Sequence, residues 1–124
     1  MSRHLDTGRQ GEDLAVEYLK KQGYRIIDRN VNTPFGELDI ICRKKSMVVF
    51  VEVKTRTSNA FGRPYEAVGP DKQRRISRSA SAWLVERKWT EKPARFDVIS
   101  VTVRAPQDGG VDIEHLEDAF ESVG

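Results

Sequence analysis

The feature that most constrains the fold is a pair of β-rich runs, residues 35–43 and 47–55, separated by Lys44-Lys45-Ser46. Two such runs joined by a few polar residues predict an antiparallel hairpin. Side chains alternate along a strand, so positions 47, 49, 51 and 53, all apolar, share one face and belong in the core. The other face of the second run starts apolar and ends with Glu52 and Lys54. The hairpin therefore predicts a strand whose end leaves the core at a site.

The rest of the chain predicts a single α/β domain, residues 1–124, with a mixed sheet flanked by helices. The capping pattern Thr7-x-x-Gln10 and Gly23 predict a first helix over 7–23. A second helix is expected from Pro70 to about residue 88, with Trp83 on its apolar stripe. Strands are expected at 24–28, 95–103 and 111–116, followed by a short terminal helix at 117–123.

Composition excludes several classes of protein. The chain is 38% hydrophobic and 32% charged, which fits a globular domain rather than a disordered one. No apolar run approaches the roughly 20 residues of a membrane span and there is no signal-peptide pattern, so we expect a cytoplasmic protein. Cys42 lies in an apolar stretch and predicts a buried thiol. Only two isolated histidines, His4 and His115, argue against a site built from His and Cys.

The register of the hairpin brings two carboxylates together. If the turn is centred between Lys45 and Ser46, Asp39 faces Glu52, with Cβ atoms about 4.5–5.5 Å apart. Opposed carboxylates are destabilising unless a cation lies between them, and a divalent cation such as Mg²⁺ prefers carboxylate oxygen. A slip of one residue would move Asp39 to the other face. The alternative interpretation is an ordinary salt bridge between Glu37 and Lys54, which face each other in the same register.

A third carboxylate lies on the apolar face of the first helix. At about 100° per residue, Glu12 falls between Val16 and Leu19. A carboxylate turned towards a sheet is costly without a partner. It would bind metal directly or through water, position the substrate, or serve only as a salt-bridge partner.

Asp39, followed by Glu52-Val53-Lys54, resembles the PD-(D/E)xK motif of restriction-endonuclease-like nucleases, although Leu38 stands where the motif has proline. Longer segments look like those of the bacterial YraN-like family, which is similar to archaeal Holliday-junction resolvases. These segments are Gly11-Glu12-Asp13-Leu14-Ala15, Gly36-Glu37-Leu38-Asp39-Ile40-Ile41, Val49-Phe50-Val51-Glu52-Val53-Lys54-Thr55-Arg56 and Arg95-Phe96-Asp97-Val98.

The resemblance implies a restriction-endonuclease-like three-layer fold and a phosphodiesterase site. Asp39 and Glu52 would hold Mg²⁺ or Mn²⁺, with the backbone carbonyl of Val53 as a further ligand. Lys54 would orient the attacking water or stabilise charge on the phosphorane. Glu12 matches the helix glutamate that contributes to the metal site in the resolvases.

Basic residues provide candidates for nucleic-acid contacts. Lys72 and Gln73 lie on the face of the second helix that carries Ile76, so they either point towards the site or are exposed at a helix end. The residues expected to contact phosphates are Arg74, Arg75 and Arg78, which project to the other side of that helix, and Arg56 and Arg63 in the long loop 56–69. Trp89, near the helix end, is left open as a base-stacking group.

We therefore expect a metal-dependent endonuclease acting on DNA, with branched or junction DNA as a candidate substrate and a homodimer if both strands of a symmetric junction are cut. Two alternatives stay open. One is an inactive nuclease fold that only binds nucleic acid, and the other is an adaptor that contacts a protein through its basic helix and acidic tail.

Overall fold

The computed structural model describes the backbone of residues 3–57 and 68–122, and the side chains of residues 10–56 and 68–122. Two helices and five strands make up this part of the chain. In order they are α1 (Arg3–Lys21), β1 (Arg25–Thr33), β2 (Gly36–Lys44), β3 (Met47–Thr57), α2 (Pro70–Arg87), β4 (Ala94–Val103) and β5 (Val111–Phe120), with a 3₁₀ turn at Pro106–Asp108 before β5.

The strands form one mixed sheet in the order β1-β2-β3-β4-β5. The pairs β1–β2, β2–β3 and β4–β5 are antiparallel, whereas β3 and β4 are parallel. Parallel neighbours need a crossover connection, and α2 supplies it. With α1 on one face of the sheet and α2 on the other, the chain has the three-layer α/β architecture that the sequence predicted. Neither described helix is long and apolar enough to cross a membrane.

Each face of the sheet has its own apolar core, as the alternation along β3 predicted. Val49 and Val51 pack with Ala15 and Leu19 of α1. Val48 and Phe50 pack with Ile76, Ala80 and Trp83 of α2. Because α1 and α2 cover the two faces of β3, a polar side chain on this strand can contact both the sheet and a helix.

The structure also shows the positions of Trp83, Cys42 and Trp89 relative to the core. Trp83 is 5% exposed and Cys42 is fully buried, as predicted. Trp89, left open in the sequence, packs edge-on against Trp83 with ring centroids 5.5 Å apart. This residue therefore extends the core rather than presenting a free face for stacking.

Several predicted boundaries were wrong. Helix α1 begins at Arg3, so Thr7 lies inside the helix and does not cap it. Strand β1 runs on to Thr33. The expected terminal helix is instead the end of β5, which pairs with β4 after a bulge and stacks Phe120 on Phe96 at 5.0 Å. Pairing along a strand edge outweighed a helical pattern that covered only a few residues. Arg63 lies outside the described residues.

Candidate functional site

The β2–β3 hairpin aligns Asp39 with Glu52. Its ladder runs from Lys44 opposite Met47 to Ile40 opposite Val51, which is the predicted register. Lys45 begins the turn with a positive φ of 56°, a conformation that tight hairpin turns require. Asp39 and Glu52 occupy the next position beyond the last ladder pair. The prediction that the two carboxylates share a face is therefore confirmed.

The strands separate at this point, and a side chain replaces the backbone ladder. The N–H of Val53 donates to Oδ2 of Asp39 at 2.8 Å. This bond satisfies a backbone donor on the edge of β3 that β2 no longer pairs with, and it fixes the Asp39 carboxylate where the β2–β3 ladder ends. Oδ2 of Asp39 is thus bonded to the backbone of β3, whereas Oδ1 is available to bind a ligand.

The two acids are close and poorly solvated. Glu52 is only 7% exposed, and the two carboxyl groups share a hydrogen bond. Burial and, after it, the negative charge of Glu52 raise the pKa of Asp39 to about 7, although the bond from Val53 works in the opposite direction. A raised pKa is the expected result for a carboxyl held beside a like charge.

Two lysines supply positive charge to the pair. The Nζ atom of Lys72 lies 2.6 Å from Oε1 of Glu52, and that of Lys54 lies 3.6 Å from the same oxygen. Burial opposes the charged form of Lys72, but its hydrogen bond to Glu52 holds the pKa above the ordinary value. Burial and the neighbouring Lys72 lower the pKa of Lys54. Lys54 therefore pairs with Glu52 and not with Glu37, the alternative partner that the sequence suggested.

The carboxylates open into a cavity of about 240 Å³ between the hairpin and α2. The helix contributes Lys72, Arg75, Ile76 and Ser79, which share one face at spacings of three and four residues. Lys72 therefore points to the site, one of the two options that its position allowed. The prediction that Arg75 projects to the other side was wrong, because it lines this cavity. A larger cavity of about 350 Å³, with Phe50, Leu84 and Phe120 among its walls, contains neither carboxylate.

Other candidate residues lie elsewhere. The amide of Gln73 donates to the carbonyl of Val68 at 3.0 Å, at the start of α2. Arg74 pairs with Asp71 at 3.2 Å. Arg78 is exposed on the outer face of α2, and Arg56 is half-buried at the end of β3. These positions place Arg74 and Arg78 on the surface rather than in the cavity.

Glu12 is near the carboxylate pair without joining it. It lies 3.9 Å from the guanidinium of Arg29 on β1, and burial raises its pKa while a hydrogen bond with Asn30 lowers it. Its charge makes the smallest contribution to the raised pKa of Asp39. Among the described residues no three His, Cys, Asp or Glu side chains form a metal-binding group. Direct ligation by Glu12 therefore stays a prediction.

The donor set of the pair nevertheless suits a hard divalent cation. Mg²⁺ is usually held by one or two carboxylates and completes its shell with waters and substrate phosphates. Asp39 and Glu52 supply two such groups in a cavity large enough for water. The ammonium of Lys72, held against Glu52, already shows that a cation is stable at this position.

Two features of the structure were missed in the sequence. Ser79 is fully buried in α2, and its hydroxyl lies 2.9 Å from that of Thr33 at the end of β1. Its spacing from Lys72 and Ile76 would have placed it on the cavity face. Asp97 is fully buried on the opposite face of the sheet, paired with Arg95 and His115. Arg95 lies two positions before Asp97 on β4, so strand alternation places both on one face. The pairing with His115 has no such local signal, because that residue comes from β5.

A family model described as "Uncharacterised protein family UPF0102" matches residues 11–101. The chain is similar to UPF0102 proteins of Syntrophotalea carbinolica, at 48% identity over 98% of this chain and 97% of the relative, and of Syntrophus aciditrophicus, at 46% over 98% and 93%. A UPF0102 protein of Geobacter sulfurreducens is 49% identical over 92% of this chain and 88% of its own length. The matched region contains the hairpin, both lysines and α2.

Proposed function

This chain belongs to the uncharacterised protein family UPF0102, and we propose that it is a metal-dependent endonuclease that hydrolyses phosphodiester bonds in DNA. The observation that carries the proposal is the pair of opposed carboxyls, Asp39 and Glu52, which line a cavity together with Lys72 and lie where the pairing of β2 with β3 ends. Lys54 also contacts Glu52. Two opposed carboxyls are costly to bury. Their presence beside cationic donors is typical of a site that handles phosphate with the help of a metal ion.

In the proposed reaction, Asp39, Glu52 and the backbone carbonyl of Val53 would hold Mg²⁺ or Mn²⁺, which would supply a Lewis acid to the phosphate and to a water molecule. Lys54 would donate a hydrogen bond to the attacking water or to the oxygen on which charge develops. Lys72, whose ammonium contacts Glu52, would donate to a non-bridging phosphate oxygen.

Binding of the DNA strand would rest on its phosphates. Arg75 lies on the wall of the cavity, and Arg56, Arg74 and Arg78 supply further positive charge on the same domain. Arg63, which lies outside the described residues, stays a predicted phosphate contact. Contacts of this kind position DNA without reading its sequence. We accordingly propose an enzyme directed by DNA structure, with branched or junction DNA among its substrates, acting in the cytoplasm as a homodimer where both strands are cut.

The test combines metal binding with cleavage. Calorimetric titration of the protein with Mn²⁺ should show a saturable site that Glu52→Gln removes, while the exposed control Glu86→Gln keeps it. Cleavage of a panel of linear, flapped and four-way DNAs in Mg²⁺ or Mn²⁺ should fall at least about a hundredfold in Glu52→Gln.

The outcomes separate the proposal from its two alternatives. Cleavage that persists in Glu52→Gln would identify a contaminant and defeat the assignment. Salt-sensitive DNA binding with neither cleavage nor Mn²⁺ binding would indicate an inactive binding module. Absence of any DNA binding would favour a protein adaptor.

A further inference from the structure

An exposed aromatic residue directly precedes two residues that line the carboxylate cavity. Phe35, in the turn between β1 and β2, is 46% exposed. Gly36 and Glu37, the next two residues, both line the cavity. Single exposed apolar side chains are common and need no explanation by themselves. The backbone that carries this one, however, is unusually well fixed.

The turn is fastened at three points through the hydroxyl of Thr33. That hydroxyl accepts the N–H of Phe35 at 3.1 Å, donates to the carbonyl of Gly36 at 2.9 Å and lies 2.9 Å from the hydroxyl of Ser79. Ser79 is fully buried in α2, so the bond ties the turn to the helix that forms the other wall of the cavity. Gly36 has a φ of 148°, which favours glycine and completes the tight reversal.

The Phe35 ring is held partly in solvent, although none of the hydrogen bonds that fix the turn involves its side chain. A mobile loop would let the ring fold back onto the protein, whereas a fixed turn keeps its exposed part available. Rigid aromatic side chains lose little conformational entropy on binding, which makes them effective contact groups. The fixed exposure of Phe35 therefore points to a ligand with a flat apolar face.

Distance relates the ring to the reacting phosphate. Phe35 precedes Asp39 by four positions, which at the rise of a strand is at most about 13 Å. Successive nucleotides of a stacked strand rise about 3.4 Å along the helix axis, and they are farther apart in an extended single strand. A base within a few nucleotides of the phosphate bound at Asp39 and Glu52 is therefore at the right distance for the ring.

We propose that Phe35 is a stacking platform for an unpaired base, and that the substrates of this site are DNAs with unpaired nucleotides, such as single strands, flaps and open branch points. Bases inside an intact duplex are covered on both faces by their neighbours, so they offer no surface to the ring. Stacking of a base on an aromatic side chain is tolerant of sequence. This inference rests on the proposed nuclease function and adds the class of DNA on which it acts.

The test compares Phe35→Ala, Phe35→Leu and Phe35→Trp with the wild-type chain. The probes are a fluorescein-labelled single-stranded 20-mer and the duplex of the same sequence, titrated in Ca²⁺ in place of Mg²⁺ to measure binding. Phe35→Ala should weaken single-strand binding about five- to a hundredfold and leave duplex binding within about twofold. Phe35→Leu, which keeps an apolar side chain without the ring, should behave like Phe35→Ala, and Phe35→Trp should retain the affinity.

A fluorescent base provides a second readout. With 2-aminopurine in the single strand, the wild type and Phe35→Trp should quench emission through stacking, and Phe35→Leu should not. Equal losses on single strand and duplex, or no loss on either, would overturn the stacking role while leaving the nuclease proposal to its own test. A wild-type chain that binds neither DNA and cleaves none would remove the proposed function and this inference together.

Discussion

Two aspartates in neighbouring regions of the same sheet have opposite surroundings. Asp39 faces the α2 side and meets another carboxylate, and its pKa is raised to about 7. Asp97, on β4, faces the α1 side and meets only donors. Burial alone would raise the pKa of Asp97, but hydrogen bonds from His115 and Arg95 hold it below the ordinary value. One aspartate is electrostatically satisfied by the fold and the other is not.

The environment of Asp97 is closed. Arg95 donates to both carboxylate oxygens at 2.8 Å, His115 lies 2.7 Å from Oδ2, and the backbone N–H of Asp118 donates to Oδ1 at 2.9 Å. The second ring nitrogen of His115 lies 3.1 Å from the hydroxyl of Tyr18 on α1. This cluster therefore ties β4, β5 and α1 together.

The comparison teaches how to separate a structural polar cluster from a functional one. Asp97 is fully buried and Asp39 only partly, but desolvation acts to raise the pKa of both carboxyls, so desolvation does not discriminate between them. The difference is whether the protein supplies every partner, as it does for Asp97, or leaves like charges opposed beside a cavity, as it does for Asp39 and Glu52. A cationic ligand can relieve the repulsion between two carboxyls when the cavity beside them is open to solvent.

The largest effect should come from breaking the closed cluster. Asp97→Asn removes the charge that offsets Arg95 in a buried site, and loss of one partner of such a pair typically costs about 3–5 kcal/mol of unfolding free energy. Urea unfolding followed by circular dichroism measures it. An unchanged midpoint would show that the cluster is not structural, and Mn²⁺ affinity of the folded fraction should stay at the wild-type value.

The matching change in the open site should have the opposite sign. Asp39 has a folded pKa of about 7 against an ordinary 3.8, so the metal-free folded state binds a proton more tightly than the unfolded state, and stability falls as the pH rises from about 4 to 7. Asp39→Asn removes this cost and can still accept the N–H of Val53. We expect about 2 kcal/mol of stabilisation at pH 8 and little at pH 4, with loss of Mn²⁺ binding.

Thermal unfolding of the metal-free proteins at the two pH values measures this effect. The control is Asp13→Asn, a half-exposed carboxylate on α1 that pairs with Arg29 outside the cavity. Destabilisation of Asp39→Asn at pH 8 would contradict the claim that repulsion between Asp39 and Glu52 destabilises the metal-free protein.

The open site was easier to predict from sequence than the closed one. Alternating apolar residues and a short turn fix the hairpin register, so the alignment of Asp39 with Glu52 follows from local pattern. The reach of Lys72 and Arg75 depends on how α2 is rotated against the sheet, which helical periodicity alone does not give. Glu12 was correctly turned towards the sheet, but a bulge in β1 and the position of Arg29 lie beyond any local pattern.

The smallest effect should sharpen the comparison from within the open site. Lys72 occupies the side of Glu52 that a metal ion needs, so Lys72→Gln removes a competing positive charge and should tighten Mn²⁺ binding roughly tenfold. Lys54→Gln should tighten it less, because its Nζ lies at 3.6 Å rather than 2.6 Å from Oε1 of Glu52. Lys20→Gln, an exposed control on α1, should leave it unchanged. Calorimetry at pH 8 ranks the three variants. Weaker binding in Lys72→Gln would mean that Lys72 helps to form the metal site. It would contradict the idea that the ammonium of Lys72 occupies the position of the metal ion.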